Sequence, residues 1–419
     1  MTVGVRPDDL RRRNRAMVIA AIRRSGHASR TEIAATTALS HSTISAITSG
    51  LLGEGVLIQA RNGGAAAPKR GRPQVGLALN PQAASVLTLV LSLNSVSAAL
   101  IDYAAEVIRE EQRRLPTLTL SKTSLTAEII AMARRLIGDP PSAVQVMRVV
   151  LAIQGTADSA ARSMLWSPIT PHEDIDFADT LEAALDIPAT VENDCNMMAE
   201  ALRWRDPNRY RENFIAVLLS HGIGMGLVLK GALFTGTQSS GGEFGHMVLV
   251  PEGALCRCGR RGCIEAYAGS YAIWRNARGI AETERPEADL DDRAMIALAT
   301  SAREKPGPER EAFRRAGEAV GFGLGSLFAL VDPAPVALVG LQASAFDLLE
   351  APMREAIART AGGQHHAAIS FDTVAEELPL IRQGGAMRAL TFVDQEIFAP
   401  GCTPPPALRA TSPIEGEEG

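Results

Sequence analysis

Three cysteines and one histidine carry the strongest chemical pattern in this 419-residue chain: Cys256-Arg257-Cys258, then Cys263, with His246 ten residues upstream of the first thiol. Three thiolates and an imidazole complete a tetrahedral donor set, the pattern of a structural zinc site. Gly253, Gly259 and Gly262 let the intervening loop wrap tightly. Four protein ligands leave no open position for water, so the expectation is one structural Zn2+ per chain, not a catalytic ion. Close by in sequence are Glu243, within Gly241-Gly242-Glu243-Phe244-Gly245-His246, and Glu265, two residues after the last thiol. Asn193-Asp194 follows Glu192 at a predicted strand-to-helix junction, where an N-cap is an equally good reading. Carboxylates and an amide converging on a cleft are the groups that exchange hydrogen bonds with sugar hydroxyls.

The elements that must position these groups follow from periodicity. Alternating or continuous apolar runs predict strands over Val86–Leu93, Val96–Ile101, Glu106–Arg113, Val146–Ile153 and Thr190–Glu192. Helices are predicted near Leu125–Ile137, Ala178–Leu185 and Cys195–Trp204. A second series has strands Phe214–Leu219, Gly226–Leu229 and Val336–Val339 and a long helix over Ala312–Leu330. Two successive series of this kind imply an α/β protein with two similar lobes around a cleft. Gly321, Gly323 and Gly325 mimic a phosphate loop, but no strand precedes them, so they read as close helix packing.

Before the lobes, the chain has a different character. A helix over Leu10–Arg24 ends at Ser25-Gly26, and Ser29-Arg30-Thr31-Glu32 has capping-box spacing. Ser40 can cap a third helix to Leu52, whose Ile44, Ile47 and Leu51 face a core while His41, Ser42, Thr43 and Ser45 lie at its exposed end. Strands Val56–Gln59 and Val75–Leu79 flank a loop ending Lys69-Arg70-Gly71-Arg72-Pro73. This is the pattern of a winged helix-turn-helix, with the third helix offered to a major groove and the Lys69, Arg70 and Arg72 arm to a minor groove. Residues 1–76 hold twelve Lys and Arg against four acids, a net of +8, while the rest of the chain is net −13. Such asymmetry fits a polyanion-binding head on an acidic body.

Composition sets the bounds. Apolar residues make up 46% and charged residues 21%, which excludes bulk disorder and a disulfide-dense scaffold. The stretch Val86–Ile101 is broken by Ser92, Asn94, Ser95 and Ser97, too polar for a membrane span. The first twenty residues lack the apolar run of a secretory signal, and clustered cysteines suit a reducing compartment, so a cytoplasmic protein is expected.

At these residues the chain resembles the ROK family of sugar kinases and sugar-responsive repressors, and within it the regulators responsive to xylose and N-acetylglucosamine. The resemblance runs from Arg11 to about Phe398. It rests on Leu39–Ser45, Gly71-Arg72-Pro73, Val191-Glu192-Asn193-Asp194-Cys195-Asn196, Gly222-Ile223-Gly224-Met225-Gly226 and the run Gly241 to Glu265. It implies an actin/hexokinase-like two-lobed body. It also implies that Asn193, Asp194, Glu243, His246 and Glu265 line a sugar site, with His246 binding zinc through one ring nitrogen and a sugar hydroxyl through the other. Asp194 matches the kinases' general base. The kinases' Asp-x-Gly-Gly-Thr is here Ser92-Leu93-Asn94-Ser95-Val96, their Gly-Thr-Gly is Ser220-His221-Gly222, and their glycine-rich adenosine loop is Val339-Gly340-Leu341-Gln342. Phosphoryl transfer depends on positioning and neutralising phosphates, so these departures leave Asp194 a vestigial base. Ser167-Pro168 is followed by Ile169 where the family often has Asn.

The domains expected are a winged helix-turn-helix over 1–79, a first lobe over 80–194 completed by a helix at 383–398, a second lobe over 195–382, and a disordered tail over 399–419. The expected function is a sugar-responsive repressor without kinase activity, a homodimer or homotetramer whose partners are operator DNA and a sugar, away from membranes. An ATP-dependent sugar kinase with a DNA-binding extension is the alternative. A ligand-independent regulator governed by a partner protein is a third reading, favoured by Ile169.

Overall fold

In a computed structural model, the structure describes residues 7–60, 76–138, 144–237, 241–286, 290–363 and 369–400. The head contains α1 (Pro7–Ser25), β1 (His27–Ala28), α2 (Arg30–Thr37), α3 (His41–Gly53), β2 (Leu57–Ala60) and β3 (Gly76–Leu79). The Ser29 hydroxyl accepts from the Glu32 amide while the Glu32 carboxylate accepts from the Ser29 amide, so the capping box is complete. Ala38 then turns the chain with a left-handed conformation, and Ser40 caps α3 through the Thr43 amide. Ile44, Ile47 and Leu51 are buried as their spacing requires. The two-residue β1, too short to leave a periodic signal, joins β3 and β2 in an antiparallel sheet of order β1-β3-β2. The Lys69, Arg70 and Arg72 arm and the expected tail beyond residue 400 lie outside the described residues.

The first lobe runs β4 (Ser85–Ser92), β5 (Ser95–Asp102), β6 (Val107–Arg114), α4 (Lys122–Ile137), β7 (Val146–Ile153), β8 (Thr156–Ala157), β9 (Met164–Trp166), α5 (Phe177–Leu185), β10 (Ala189–Asn193) and α6 (Asp194–Arg205). Its sheet has the order β10-β7-β4-β5-β6. β4 pairs parallel with β7 and antiparallel with β5, and seven of its eight residues are buried, which explains its nearly continuous apolar sequence. β6 is the exposed edge and carries Arg109, Glu110, Glu111, Arg113 and Arg114, charges that discourage another strand from pairing there.

The second lobe repeats the plan with β11 (Phe214–Leu219), β12 (Ile223–Leu229), β13 (Ala232–Leu233), α7 (Glu265–Ala268), α8 (Ser270–Ala277), α9 (Asp292–Glu304), α10 (Pro308–Val331), β14 (Val336–Val339), α11 (Phe346–Ala358) and β15 (Phe371–Val374). The sheet order is β13-β12-β11-β14-β15, with β11, β14 and β15 parallel. Gly321 lies inside α10, and a Cβ there would overlap the Met353 carbonyl of α11. The glycine series therefore serves helix packing.

A final helix, α12 (Glu377–Phe392), continues as a π-helix over Val393–Phe398. It begins six residues before the expected start at 383. Pro379 lies in its first turn, where a missing N–H is harmless, and Gly384-Gly385 interrupts the apolar pattern without ending the helix. A Cβ at Gly384 would overlap the Met197 carbonyl, so α12 lies directly against α6.

The π-helix holds the head. Arg23 of α1 makes a two-pronged ion pair with Asp394, at 2.8 and 3.1 Å, the two side chains being 2% and 6% exposed. The Tyr103 hydroxyl donates to the same carboxylate at 2.6 Å, and Arg23 also donates to the Tyr103 carbonyl. Arg15 donates to the Phe398 carbonyl and pairs with Glu54 at the end of α3. Two arginines that the charge count assigned to polyanion binding are thus internal struts. Ile19 and Ile22 of the head share one apolar cluster with Tyr103, Met197 and Phe398 of the body.

Replacing Asp394 by Asn strands the buried Arg23 guanidinium. The expected loss is about 3–5 kcal/mol of stability, read as a lower urea midpoint with proteolysis beginning in the α1 region. A loss below about 1 kcal/mol would show that the ion pair does not hold the head.

Candidate functional site

β10 ends at Asn193, whose side chain accepts from the Asn196 amide and thereby starts α6, so the N-cap reading is correct. Nδ2 of the same Asn193 side chain donates to the Gly155 carbonyl at 2.9 Å. Asp194, the first residue of α6, is 3% exposed. Across the cleft, Glu243 precedes a 3-10 turn over Phe244–His246 and accepts from the Thr156 hydroxyl at 2.9 Å. Glu265 opens α7, is 2% exposed, and accepts from the Ile223 amide and the Tyr271 hydroxyl. Asn193, Asp194, Glu243, His246 and Glu265 all line one cavity of about 560 Å³, part of it open to solvent.

Sequence reasoning missed three walls of that cavity: Gln154, Thr156 and Trp166. Trp166 meets the His246 ring edge-on, with centroids 5.5 Å apart. Its position just before Ser167-Pro168 was the available signal. Ile169 is fully buried in the first lobe and does not line the cavity, whereas Pro168 does. The polar contact expected from an Asn at 169 is therefore absent from this wall.

Burial drives the Asp194 carboxyl up to about 7, helped by the charges of Glu243 and Glu377 and opposed by hydrogen bonding to Cys195. A desolvated carboxyl surrounded by like charges holds its proton.

His246, Cys256, Cys258 and Cys263 converge so that their donor atoms all lie within 4.8 Å of one another. Cys256 Sγ is 3.8 Å from His246 Nδ1, and Cys258 Sγ is 3.8 Å from Cys263 Sγ. A tetrahedron with metal–sulfur bonds of about 2.3 Å has edges of about 3.8 Å, so the cluster has the dimensions of a four-coordinate ion. Hydrogen bonds among the thiols push Cys258 well below the usual thiol range and Cys256 well above it. Three thiolates this close need a cation to ionise together. The cluster can hold a metal ion.

On the head, His41, Ser42 and Ser45 are exposed on α3, and Thr43 is half-buried. Ser42 and Thr43 also share hydrogen bonds with Ser40 Oγ at 2.9 and 2.8 Å, so part of their capacity serves the cap.

The model of the ROK family matches residues 93–386 of this chain. The chain belongs to the ROK family. It is 25% identical over 265 residues to the xylose repressor of Bacillus subtilis, covering 63% of this chain and 67% of that protein. It is 27% identical over 289 residues to the glucokinase of Streptomyces coelicolor, covering 66% and 89%. A crystal structure of a ROK family transcriptional regulator, a homolog of the E. coli MLC protein, matches with a TM-score of 0.75 at 19% identity, covering 94% of this chain and 99% of that one.

The segments at Ser92–Val96 and Ser220–Gly222 carry internal hydrogen bonds. The Leu93 amide donates to Gln154 Oε1 at 3.3 Å and the Asn94 amide to Thr117 Oγ1 at 3.2 Å. Ser220 Oγ donates to Glu377 at 2.8 Å, and its carbonyl accepts from Gln342 Nε2 and Ser270 Oγ. His221 faces Asp292 at 3.2 Å.

Asp194 has a stability signature. Its folded pKa of about 7 exceeds the ordinary aspartate value of 3.8, so the folded state binds more protons and stability falls as pH rises between those values. Against Asp194→Asn, the native chain is expected to lose a few kcal/mol more over that interval. Denaturation midpoints measured across it check this, and parallel curves would show that Asp194 is not desolvated.

Proposed function

We propose that this chain is a sugar-responsive DNA-binding repressor whose ROK body senses a carbohydrate without phosphorylating it. One observation carries the reading. α12 meets the cleft through Glu377 and Ser220 at one end and grips the DNA-binding head through Asp394 and Arg23 at the other.

In this reading Asp194, Glu243 and Glu265 accept hydrogen bonds from sugar hydroxyls, and Asn193 completes the wall. Zinc, one per chain, is held by His246, Cys256, Cys258 and Cys263, and supplies a fixed charge that orders the loop between them. With Nδ1 facing the thiols, His246 keeps its other nitrogen as a donor toward the cavity. Trp166 fixes the ring plane from the side. The head, a winged helix-turn-helix, presents His41, Ser42, Thr43 and Ser45 to base edges and phosphates of a major groove and Lys69, Arg70 and Arg72 to a minor groove. Sugar closes the lobes, shifts α12, and changes the separation of two heads in a homodimer or homotetramer, a separation that half-sites about 10 bp apart demand. The domains proposed are those expected above, except that α6 (Asp194–Arg205) and α12 from Glu377 onward are grouped with the first lobe. No helix among the described residues is long and apolar enough to cross a membrane; a cytoplasmic location fits DNA as the partner.

Gel-shift titration tests the reading. Xylose, glucose or N-acetylglucosamine is expected to change operator affinity five- to 150-fold, a coupling of about 1–3 kcal/mol, and no response across a broad sugar panel would defeat it. Elemental analysis should give one zinc per chain, with Cys258→Ser losing both metal and sugar response; a retained response would uncouple the loop from the cavity.

A sugar kinase is the second reading, favoured by Asp194, whose pKa of about 7 suits a general base. Sugar-dependent ADP release would select it.

A further inference from the structure

Where the head meets the body, the seam encloses a second cavity, of about 870 Å³, part of it open to solvent. Ala16, Ala20 and Arg24 enter it from α1, and Trp204 from the last turn of α6. Thr391 of α12 and Gln395 of the π-helix form another wall, and Tyr210 and Arg211 close it from the segment before β11. Residues 16 and 20 lie one helical turn apart on α1, and two alanines there leave the space unfilled. A concave space at a domain junction, with aromatic cover and a few charged groups, is the common form of a small-molecule site.

The charges around this cavity do not cancel. Its two carboxylates are already engaged: Glu200 by Arg203 at 3.1 Å, and Asp394 by Arg23 and the Tyr103 hydroxyl. Arg24 is exposed and, among the described residues, has neither an ion pair nor a hydrogen bond. Its guanidinium carbon lies 5.3 Å from the Trp204 ring centroid, so the N–H donors are held beside an aromatic face with no acceptor. Arg211 meets only Glu212, at 3.6 Å, with both side chains more than 70% exposed, a pair that contributes little. An adjoining hollow shares Ala16, Ala20 and Gln395 and adds Arg13, also unpaired among the described residues.

We infer that the seam cavity binds a small aromatic carboxylate and that the bound anion clamps the head to the body. The rings of Trp204 and Tyr210 and the methyl groups of Ala16 and Ala20 give the flat part of such a ligand apolar cover. Arg24 and Arg211 receive its carboxylate, whose two oxygens match the fork of a guanidinium. Neither half of the molecule makes this site alone: Arg24 and the two alanines belong to the head, and both rings to the body. A ligand that needs both halves binds only the docked arrangement and stabilises it by mass action. The inference is independent of what the cleft between the lobes senses.

Calorimetry on the full-length chain tests this with three probes: 2-naphthoate, its neutral counterpart 2-naphthamide, and acetate, which has the charge without the ring. Naphthoate is expected to bind at least about tenfold more tightly than either. Arg24→Gln, a change at an exposed side chain, should bring naphthoate down to the level of naphthamide, and Arg211→Gln provides a second measurement of the same loss. Hydrogen exchange reads the clamp: with naphthoate at about 100 times its Kd, the α1 amides facing the seam should exchange at least about tenfold more slowly. No binding of naphthoate, equal binding of naphthoate and naphthamide, or undiminished binding to both arginine variants overturns the assignment. Binding with unchanged exchange in α1 overturns the clamp.

Discussion

The contact between α12 and its surroundings constrains everything else in this protein. At Gly384 the helix lies against the backbone of α6, whose first residues are the cavity wall. At Glu377 it reaches across to Ser220 of the second lobe, and past Phe392 it packs into the apolar cluster that head and body share. Close packing of this kind does not deform smoothly; it moves as a unit or changes partners. In the proposed reading, a displacement of the cleft would reach the head through this one packed helix.

The same site shows opposed demands on one group. Asp194 is buried among like charges, which lowers folded-state stability near neutral pH, yet it starts the helix that frames the cavity. Strain of this sort is tolerated where a ligand can relieve it. Hydroxyl donors placed against Asp194, Glu243 and Glu265 would stabilise their charged forms and convert a local penalty into affinity. The His/Cys cluster borders this site on one side, since His246 belongs to both the donor set and the cavity wall.

Much of this was readable in the chain. Strands Val146–Ile153, Phe214–Leu219 and Val336–Val339 have the boundaries that their apolar runs indicate, and the thiol spacing brought His246 and the three cysteines into one cluster. Side-chain fate was less legible. Arg15 and Arg23 look like any other basic residues of α1, and only the fold reveals that Phe398, Glu54 and Asp394 claim them. Gln154, Thr156 and Trp166 carry no spacing signal, because the cavity is assembled from strand ends far apart in sequence. Short strands such as β1 and β8 have too few residues for a period, and Gly384-Gly385 hides a helix that tertiary packing requires.

The π-helical ending of α12 has a geometric consequence. Its Ala399 amide bonds to the Asp394 carbonyl, five residues back, so the turn accommodates more chain than an α-helical turn does. That widening sets the azimuth at which Asp394 and the Phe398 carbonyl both address α1. Shortening the segment by a single residue would restore ordinary helical winding and rotate the Phe398 carbonyl by roughly 100° about the axis. The orientation of the head is thus encoded partly as a count of residues after α12, not only in the identity of the side chains that touch it.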